Sequence, residues 1–253
     1  MTGIVMVHGA FCGGWAFERF RRPFEQAGYE VACPDLRGHG DHEPHDAVLG
    51  VSMADYAADI AQLCGRSAEP PVLLGHSMGG LVAQLAARRT RLRALVLLAP
   101  SPPWGVANGT LEDAATAFGV QMLGPFACGP LEPDPGLMRR YSLDRLPGAE
   151  REAVVARLRP ESARAVRETL NWWLDPLMTT GLGPGPLPVP SLVMAGEADV
   201  VHSPATAKAV AERIGAELRI EPGMSHWLPG EPGWERVAGQ ALAWLEAILR
   251  AAA

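Results

Sequence analysis

A serine held between two glycines is the residue of this chain best suited to nucleophilic chemistry. The segment Gly75-His76-Ser77-Met78-Gly79 matches the pattern Gly-x-Ser-x-Gly, follows an apolar run over 71–74 and precedes a helical pattern over 78–89. A sharp strand-to-helix turn projects such a serine from the edge of a sheet, and the small glycines let the turn pack against its neighbours. The pattern therefore predicts Ser77 as a nucleophile.

An acid and a base follow Ser77 in the order that this type of site requires. A serine hydroxyl is a weak nucleophile at neutral pH, so it needs a base, and the base needs an acid to orient it. Asp199 and His226 each follow a predicted strand, which places them at the same sheet edge as Ser77. Glu197 is the alternative acid. His202 is the alternative base, although no strand delivers it to the serine.

The intermediate of serine attack carries a negative oxygen that needs hydrogen-bond donors. One donor is expected from the backbone N–H of Met78, directly after the nucleophile. The second is expected from the loop after the first strand, where we predict the N–H of Ala10, with Phe11 as the next candidate.

Alternating strand and helix patterns supply the scaffold for these residues. Short apolar runs predict six buried strands, at 4–7, 30–33, 72–74, 94–98, 192–195 and 217–220. Amphipathic patterns predict helices at 15–27, 53–64, 78–89, 204–214 and 234–249. This alternation predicts an α/β fold with a doubly wound, mostly parallel sheet of about six strands.

The region 102–188 interrupts the alternation. It has no convincing strand, shows helical patterns at 111–123, 149–158 and 162–174, and ends in a Pro/Gly-rich stretch over 181–190. We predict that 102–188 is a helical cap inserted into a core formed by 1–101 and 189–253. Most of its aromatic and methionine residues are expected to pack on the sheet, while a few line an apolar pocket. The candidate substrate-binding residues are Phe11, Trp104, Phe118, Met122, Trp173 and Trp227.

Composition excludes several other classes of protein. The chain has 253 residues, of which 48% are apolar and 20% charged, which is typical of a globular protein rather than a disordered one. Its net charge of -6 gives no electrostatic basis for a nucleic-acid partner. No apolar run approaches the roughly 18 residues of a membrane span. Four cysteines without a Cys-x-x-Cys pair, and no secretory signal, predict a cytoplasmic protein with reduced thiols.

Taken together, the motifs resemble those of the α/β-hydrolases over almost the whole chain. The matching segments are His8-Gly9, Asp35-Leu36-Arg37-Gly38-His39-Gly40, Gly75-His76-Ser77-Met78-Gly79-Gly80, Gly196-Glu197-Ala198-Asp199 and Ser225-His226. The first loop, from Val7 to Trp15, resembles the branch that holds plant methylesterases and hydroxynitrile lyases. The resemblance implies a Ser77–Asp199–His226 triad under a helical cap.

Two departures from related families narrow the chemistry. Haloalkane dehalogenases and epoxide hydrolases of this fold use an aspartate where Ser77 stands. Hydroxynitrile lyases of the branch carry a threonine and a lysine where this chain has Gly9 and Trp227, which argues against cyanohydrin cleavage.

We therefore expect a serine hydrolase that cleaves a small or medium carboxylic ester without a cofactor. The same motifs would serve a thioesterase, a lactonase, a C–C hydrolase, a cofactor-free perhydrolase or a receptor-like ligand-binding hydrolase. An arginine cluster over 88–93 is a solvated patch at a helix end or a docking site for an acidic carrier protein. Histidines 39, 42 and 45 share one loop, but Gly40 and Pro44 break any helical face, so no metal site is predicted.

Overall fold

The computed structural model of the protein describes residues 3–106 and 129–251. Its main feature is a six-stranded parallel sheet in the order β2-β1-β3-β4-β7-β8, and a two-stranded antiparallel ribbon pairs β5 with β6. The strands are β1 Gly3–Val7, β2 Glu30–Ala32, β3 Val72–His76, β4 Ala94–Leu98, β5 Pro130–Leu131, β6 Glu161–Ser162, β7 Ser191–Gly196 and β8 Glu217–Glu221. The sheet confirms the predicted α/β fold and the positions of the six predicted strands. The prediction that all six are buried is wrong for the edge strands β2 and β8, which have one side open to solvent.

Helices cover both faces of the sheet. They are α1 Arg22–Gln26, α2 Met53–Gly65, α3 Met78–Ala87, α4 Gly148–Val155, α5 Ala163–Leu170, α6 Pro204–Ile214 and α7 Trp234–Ala251. Shorter helical turns are Gly14–Phe17, His45–Val48, Pro135–Leu137, Met138–Ser142 and Trp172–Leu174. No helix in the described ranges is both long and apolar enough to cross a membrane.

Strand side chains alternate between two hydrophobic cores. Val5 and Val7 of β1 pack with α2, α3 and α6 on one face. Ile4 and Met6 point to the other face and pack with α1 and α7. Because the strands are parallel and in register, with Gly75 opposite both Val7 and Leu97, their carboxyl ends meet at one edge. The loops that carry the candidate site leave from that edge.

Two predicted elements need correction. The predicted helix at 15–27 is wrong, since a short turn at Gly14–Phe17 and the separate helix α1 take its place. Pro23 stands in the first turn of α1, and a proline further inside a helix would remove a hydrogen bond and clash with the preceding turn. The expectation of no strand within 102–188 is also wrong, because β5 and β6 pair there. Strands of two residues are too short to show a periodic pattern.

Two of the three helices predicted within the insertion correspond to helices of the structure. The helix at 149–158 corresponds to α4, and the helix at 162–174 corresponds to α5 followed by the turn Trp172–Leu174. The predicted helix at 111–123 lies outside the described residues.

Candidate active site

Ser77 sits in a strained turn between β3 and α3. Its φ of 53° and ψ of -123° lie outside the regions that non-glycine residues normally occupy. A Cβ atom on Gly75 would overlap the carbonyl group of Gly79, and one on Gly79 would overlap the carbonyl oxygens of Val7 and His8. Both glycines are therefore required for the turn that presents the Ser77 hydroxyl.

The side chains of Ser77, His226 and Asp199 form one hydrogen-bonded row. His226 Nε2 lies 3.0 Å from Ser77 Oγ, and His226 Nδ1 lies 2.9 Å from Asp199 Oδ2. Asp199 follows β7 and His226 follows β8. A Cβ on Gly196 would overlap the carbonyl oxygen of Ser225, so this glycine lets the two loops approach each other.

Asp199 is held as a carboxylate although it is buried. Its Oδ1 accepts hydrogen bonds from the backbone N–H groups of Val201 and His202, at 2.8 Å and 2.9 Å. Burial alone would raise the pKa of Asp199, but the His226 ring, with a smaller effect of His202 and its backbone N–H, holds it below its ordinary value. An ionised Asp199 can orient the His226 ring and stabilise it when it becomes charged.

Two further buried histidines surround the row. His76 Nε2 lies 2.9 Å from the carbonyl oxygen of His226, and His202 Nε2 lies 2.8 Å from Ser101 Oγ. Burial, with a smaller effect of the neighbouring His226, lowers the pKa of each of these histidines to about 3. Both rings are therefore neutral at physiological pH and serve as hydrogen-bonding supports.

The alternative acid and base occupy other positions. Glu197 is exposed, and its carboxylate accepts a hydrogen bond from the backbone N–H of Gly223 at 3.0 Å. His202 is bonded to Ser101 rather than to Ser77. The geometry thus brings Asp199 and His226 together with the serine and leaves the two alternatives outside the row.

A mostly apolar cavity opens in front of Ser77. Its volume is about 850 Å³ including the open mouth. Ser77 shares this cavity with the three residues whose backbone N–H groups are the candidate oxyanion donors, namely Ala10, Phe11 and Met78. In the part of the chain that the structure describes, the Ala10 N–H donates to no backbone carbonyl. Such free amides next to a nucleophile can hold a developing negative charge.

The predicted substrate-binding residues have mixed positions. Phe11 and Trp227 line the cavity. Trp104 is not among the described lining residues, since its ring packs edge-on against Trp172 at 5.3 Å between ring centres. Phe118 and Met122 lie outside the described residues, as does the side chain of Trp173.

Sequence reasoning missed most of the cavity wall that the insertion contributes. These residues are Met138, Ser142, Val166, Thr169 and Leu170. Three of them, at positions 166, 169 and 170, have the spacing of one helical face, which was the available signal. Nothing in the sequence identifies the cavity as the partner of that face.

Trp227 stands between the cavity in front of Ser77 and a second one. The second cavity has a volume of about 620 Å³ including its open mouth, and Trp15 and Leu146 lie in its walls. Trp227 lines both cavities and is only 4% exposed. Its indole ring also packs edge-on against His76, at 5.5 Å between ring centres.

A buried glutamate supports the loop that carries His226. Glu231 Oε1 accepts a hydrogen bond from the backbone N–H of Ser225 at 2.6 Å. Burial raises the pKa of Glu231 to about 7, and the carboxylates of Asp144 and Asp199 add to this effect.

The Cys12 thiol is buried, and two arginines of the cluster over 88–93 hydrogen-bond to backbone carbonyl oxygens. Burial raises the pKa of the Cys12 thiol, which keeps it protonated and unreactive. Arg88 donates to the carbonyl oxygens of Pro184 and Gly185, and Arg89 donates to that of Ala54. Within residues 3–106 and 129–251, no group of three His, Cys, Asp or Glu side chains is arranged to hold a metal ion.

Comparison with known proteins places the chain in a family. A model of the alpha/beta hydrolase family matches residues 4–240, which span the whole sheet from β1 to β8 and the loops that bear Ser77, Asp199 and His226. The chain belongs to the alpha/beta hydrolase family. This agrees with the resemblance carried by the sequence motifs.

Relatives of this alpha/beta hydrolase include esterases. A carbendazim hydrolyzing esterase from a Nocardioides species is 30% identical over 190 residues, which are 72% of this chain and 76% of the relative. A pyrethroid hydrolase from Sphingobium wenxiniae is 38% identical over 82 residues, which are 32% of this chain and 28% of that protein. The second match therefore spans less than a third of the relative's length.

Solved structures share the fold of this alpha/beta hydrolase. A methylesterase from Arabidopsis superimposes with a TM-score of 0.74 and 18% sequence identity, over 97% of this chain and 99% of the methylesterase. At that level of identity, the likeness establishes the architecture and leaves the reaction to the site itself.

Proposed function

We propose that this protein is a serine esterase that hydrolyses carboxylic esters through an acyl-enzyme on Ser77. The observation that carries the proposal is the row of Ser77, His226 and Asp199, with spacings of 3.0 Å and 2.9 Å, at the floor of an apolar cavity. The names of the carbendazim esterase and the pyrethroid hydrolase support the same class of reaction.

Acylation begins when Ser77 Oγ attacks the ester carbonyl carbon. His226 Nε2 takes the hydroxyl proton as the new C–O bond forms, and the carbonyl electron pair moves onto oxygen. The intermediate then collapses, the bond to the alcohol oxygen breaks, and His226 returns the proton to that oxygen. Asp199 keeps the ring oriented and stabilises its charged form throughout.

Backbone amides stabilise the negative oxygen of the intermediate. The N–H groups of Ala10 and Met78 fill this role, because both residues line the cavity beside Ser77. Met78 also begins α3, whose N-terminus carries a partial positive charge. A water molecule, activated by His226, then attacks the acyl carbon and releases the acid, which restores Ser77.

The shape of the cavity favours an ester with an apolar group. In this proposal, residues 102–188 form the predicted cap over the core of 1–101 and 189–253, and the structure describes 102–106 and 129–188 of that cap. Within the described part, the helix α5 contributes Val166 and Leu170 to the cavity wall. Phe11 and Trp227 contribute aromatic surface from the core. Apolar walls with a few polar groups at one end are typical of sites that hold small organic molecules.

A graded ester series tests the proposal. The substrates are p-nitrophenyl esters of increasing acyl length, with one thioester and one lactone for comparison. We expect Ser77→Ala to lower kcat/KM by at least about 10³-fold, while Ser67→Ala, which removes an exposed serine outside the cavity, stays within about threefold. Turnover of the thioester or lactone alone, or an active Ser77→Ala variant, would contradict esterase activity at this serine.

A further inference from the structure

Residues of the insertion contact the loop that follows β1 and lines the cavity in front of Ser77. The backbone N–H of Arg159 donates to the carbonyl oxygen of Phe11 at 2.9 Å. The Arg159 guanidinium donates to the carbonyl oxygens of Asp41 and Glu43 in the neighbouring loop. One short segment of the insertion therefore holds two loops of the core.

Phe11 depends on outside support for its conformation. It has a φ of 64° in a turn closed by a 3.3 Å hydrogen bond from the Cys12 N–H to the Gly9 carbonyl. A positive φ at the third position of such a turn usually calls for glycine. It sets the orientation of the peptide group between Ala10 and Phe11, which carries the N–H of Phe11, the alternative donor, and adjoins the N–H of Ala10. The Phe11 side chain packs against a cluster built from the insertion, namely Leu131, Ala163, Val166 and Leu170.

The buried Glu161 side chain connects the same segment to Tyr56 of α2 and to His39. Its Oε1 accepts hydrogen bonds from the Tyr56 hydroxyl at 2.6 Å and from the Ser162 N–H at 2.7 Å. Its Oε2 lies 3.1 Å from His39 Nε2, and both side chains are fully buried. A carboxylate with no access to water is stable only with polar partners, so Glu161 holds this segment next to the Tyr56 hydroxyl and the His39 ring.

The His39 ring also packs against His8, which begins the loop that follows β1. Its centre lies 5.2 Å from that of His8, the residue before Gly9. His8 Nε2 accepts a hydrogen bond from the Leu36 N–H at 2.9 Å. Burial and the neighbouring His39 lower the pKa of His8 to about 3, so its ring stays neutral and able to accept.

We propose that the segment Arg159–Glu161 positions the loop Gly9–Cys12, and with it the proposed oxyanion donors of that loop. The proposal rests on the proposed esterase function. Glu161 is a positioning residue, because it does not line the cavity and acts through Phe11 on one side and through His39 and His8 on the other.

A second buried glutamate of the insertion provides a matched control. Glu168 accepts a hydrogen bond from the Met53 N–H at 2.8 Å and one from Arg164 at 2.8 Å. It fastens α5 to the start of α2, as Glu161 fastens β6 to the Tyr56 side chain of α2. Neither of these Glu168 partners belongs to the loop Gly9–Cys12.

The experiment compares Glu161→Ala with Glu168→Ala on one short p-nitrophenyl ester and one trifluoromethyl ketone. Ser77 Oγ adds to the ketone carbon, the serine proton passes to His226, and the ketone oxygen becomes an alkoxide with no leaving group. The inhibition constant of the ketone therefore reports on the oxyanion donors. For Glu161→Ala we expect kcat and ketone affinity to fall together by about 10- to 100-fold with little change in KM, and for Glu168→Ala we expect changes within about threefold.

The outcomes separate this proposal from the proposed function. If the wild-type protein hydrolyses no ester, the esterase proposal fails before any variant is made. If the wild-type protein is active, either of two results would overturn the positioning role. One is a loss of kcat in Glu161→Ala no larger than that in Glu168→Ala. The other is a change in KM alone, with an unchanged inhibition constant for the ketone. Should Glu161→Ala not fold, Tyr56→Phe removes one hydrogen bond to Glu161. A smaller parallel loss of kcat and ketone affinity supports the role, and wild-type values overturn it.

Discussion

His226 Nε2 lies 3.0 Å from Ser77 Oγ, although 149 positions separate the two residues in the chain. They follow strands β8 and β3, and two further strands, β4 and β7, lie between these in the sheet. The His226 loop must therefore reach back across the sheet edge. A hydrogen bond between the His76 ring and the His226 carbonyl oxygen, at 2.9 Å, holds the loop to the turn that carries Ser77.

Removing the charge of Asp199 tests how the base is oriented. We expect Asp199→Asn to lower kcat by about 10³- to 10⁴-fold, because a neutral amide neither fixes the ring in the required form nor stabilises its positive charge. Glu197→Gln is the matched control, since Glu197 is an exposed carboxylate two positions away that binds the Gly223 N–H. Equal rates for the two variants, with both folded, would contradict the role of Asp199.

Glu231 gives a prediction about the pH dependence of stability. Its pKa rises from 4.5 to about 7 on folding, so the folded chain holds a proton that the unfolded chain releases, and its contribution to the free energy of unfolding decreases between pH 4.5 and 7. Glu231→Gln keeps the acceptor for the Ser225 N–H without this loss. Thermal unfolding should show a higher Tm than the wild type at pH 8 and little difference at pH 4.5. An equal shift at both pH values would show that the carboxyl does not titrate as expected.

Two glycines that both lie inside helices, Gly79 in α3 and Gly239 in α7, should respond in opposite ways to alanine. Gly79→Ala places a Cβ against the carbonyl oxygens of Val7 and His8, so we expect loss of the folded protein or of the Ser77 turn. Gly239 lies on the exposed face of α7, and a Cβ added there meets open space. Gly239→Ala should therefore raise the free energy of unfolding by about 0.5–1 kcal/mol. Urea unfolding of both variants measures this, and a well-folded, fully active Gly79→Ala variant would contradict the close approach.

Trp227 should limit the length of the substrate. Trp227→Ala joins the cavity in front of Ser77 to the second cavity, so the ratio of kcat/KM for long against short acyl esters should rise by about tenfold or more. Val154→Ala is the control, because Val154 lines the second cavity but not the cavity in front of Ser77, and it should leave the ratio unchanged. A uniform loss of activity on all esters in Trp227→Ala would instead indicate that the indole supports His76 and the base.

The sheet was predictable from sequence because its four central strands, β1, β3, β4 and β7, are almost fully buried and appear as apolar runs. The edge strands β2 and β8 are partly exposed, and their runs include charged residues. The positions of Ser77, Asp199 and His226 followed from where those runs end. The region 129–188 was harder to predict, since its strands β5 and β6 are two residues long and its helix α5 turns an apolar face toward a cavity that no local pattern describes. Glu161 and Glu168 resemble solvent-exposed residues in the sequence, and only the packing of the insertion on α2 buries them.

Covalent labelling of Ser77 tests the central claim most directly. In the reaction with a phosphonyl fluoride, Ser77 Oγ bonds to phosphorus, fluoride leaves, and the serine proton passes to His226. Mass spectrometry of the digested protein should locate a single phosphonyl adduct on the peptide that contains Ser77. The adduct should be absent in Ser77→Ala and form at least about 100-fold more slowly in His226→Gln. An adduct on another residue, or labelling of a folded Ser77→Ala variant at the wild-type rate, would contradict Ser77 as the nucleophile.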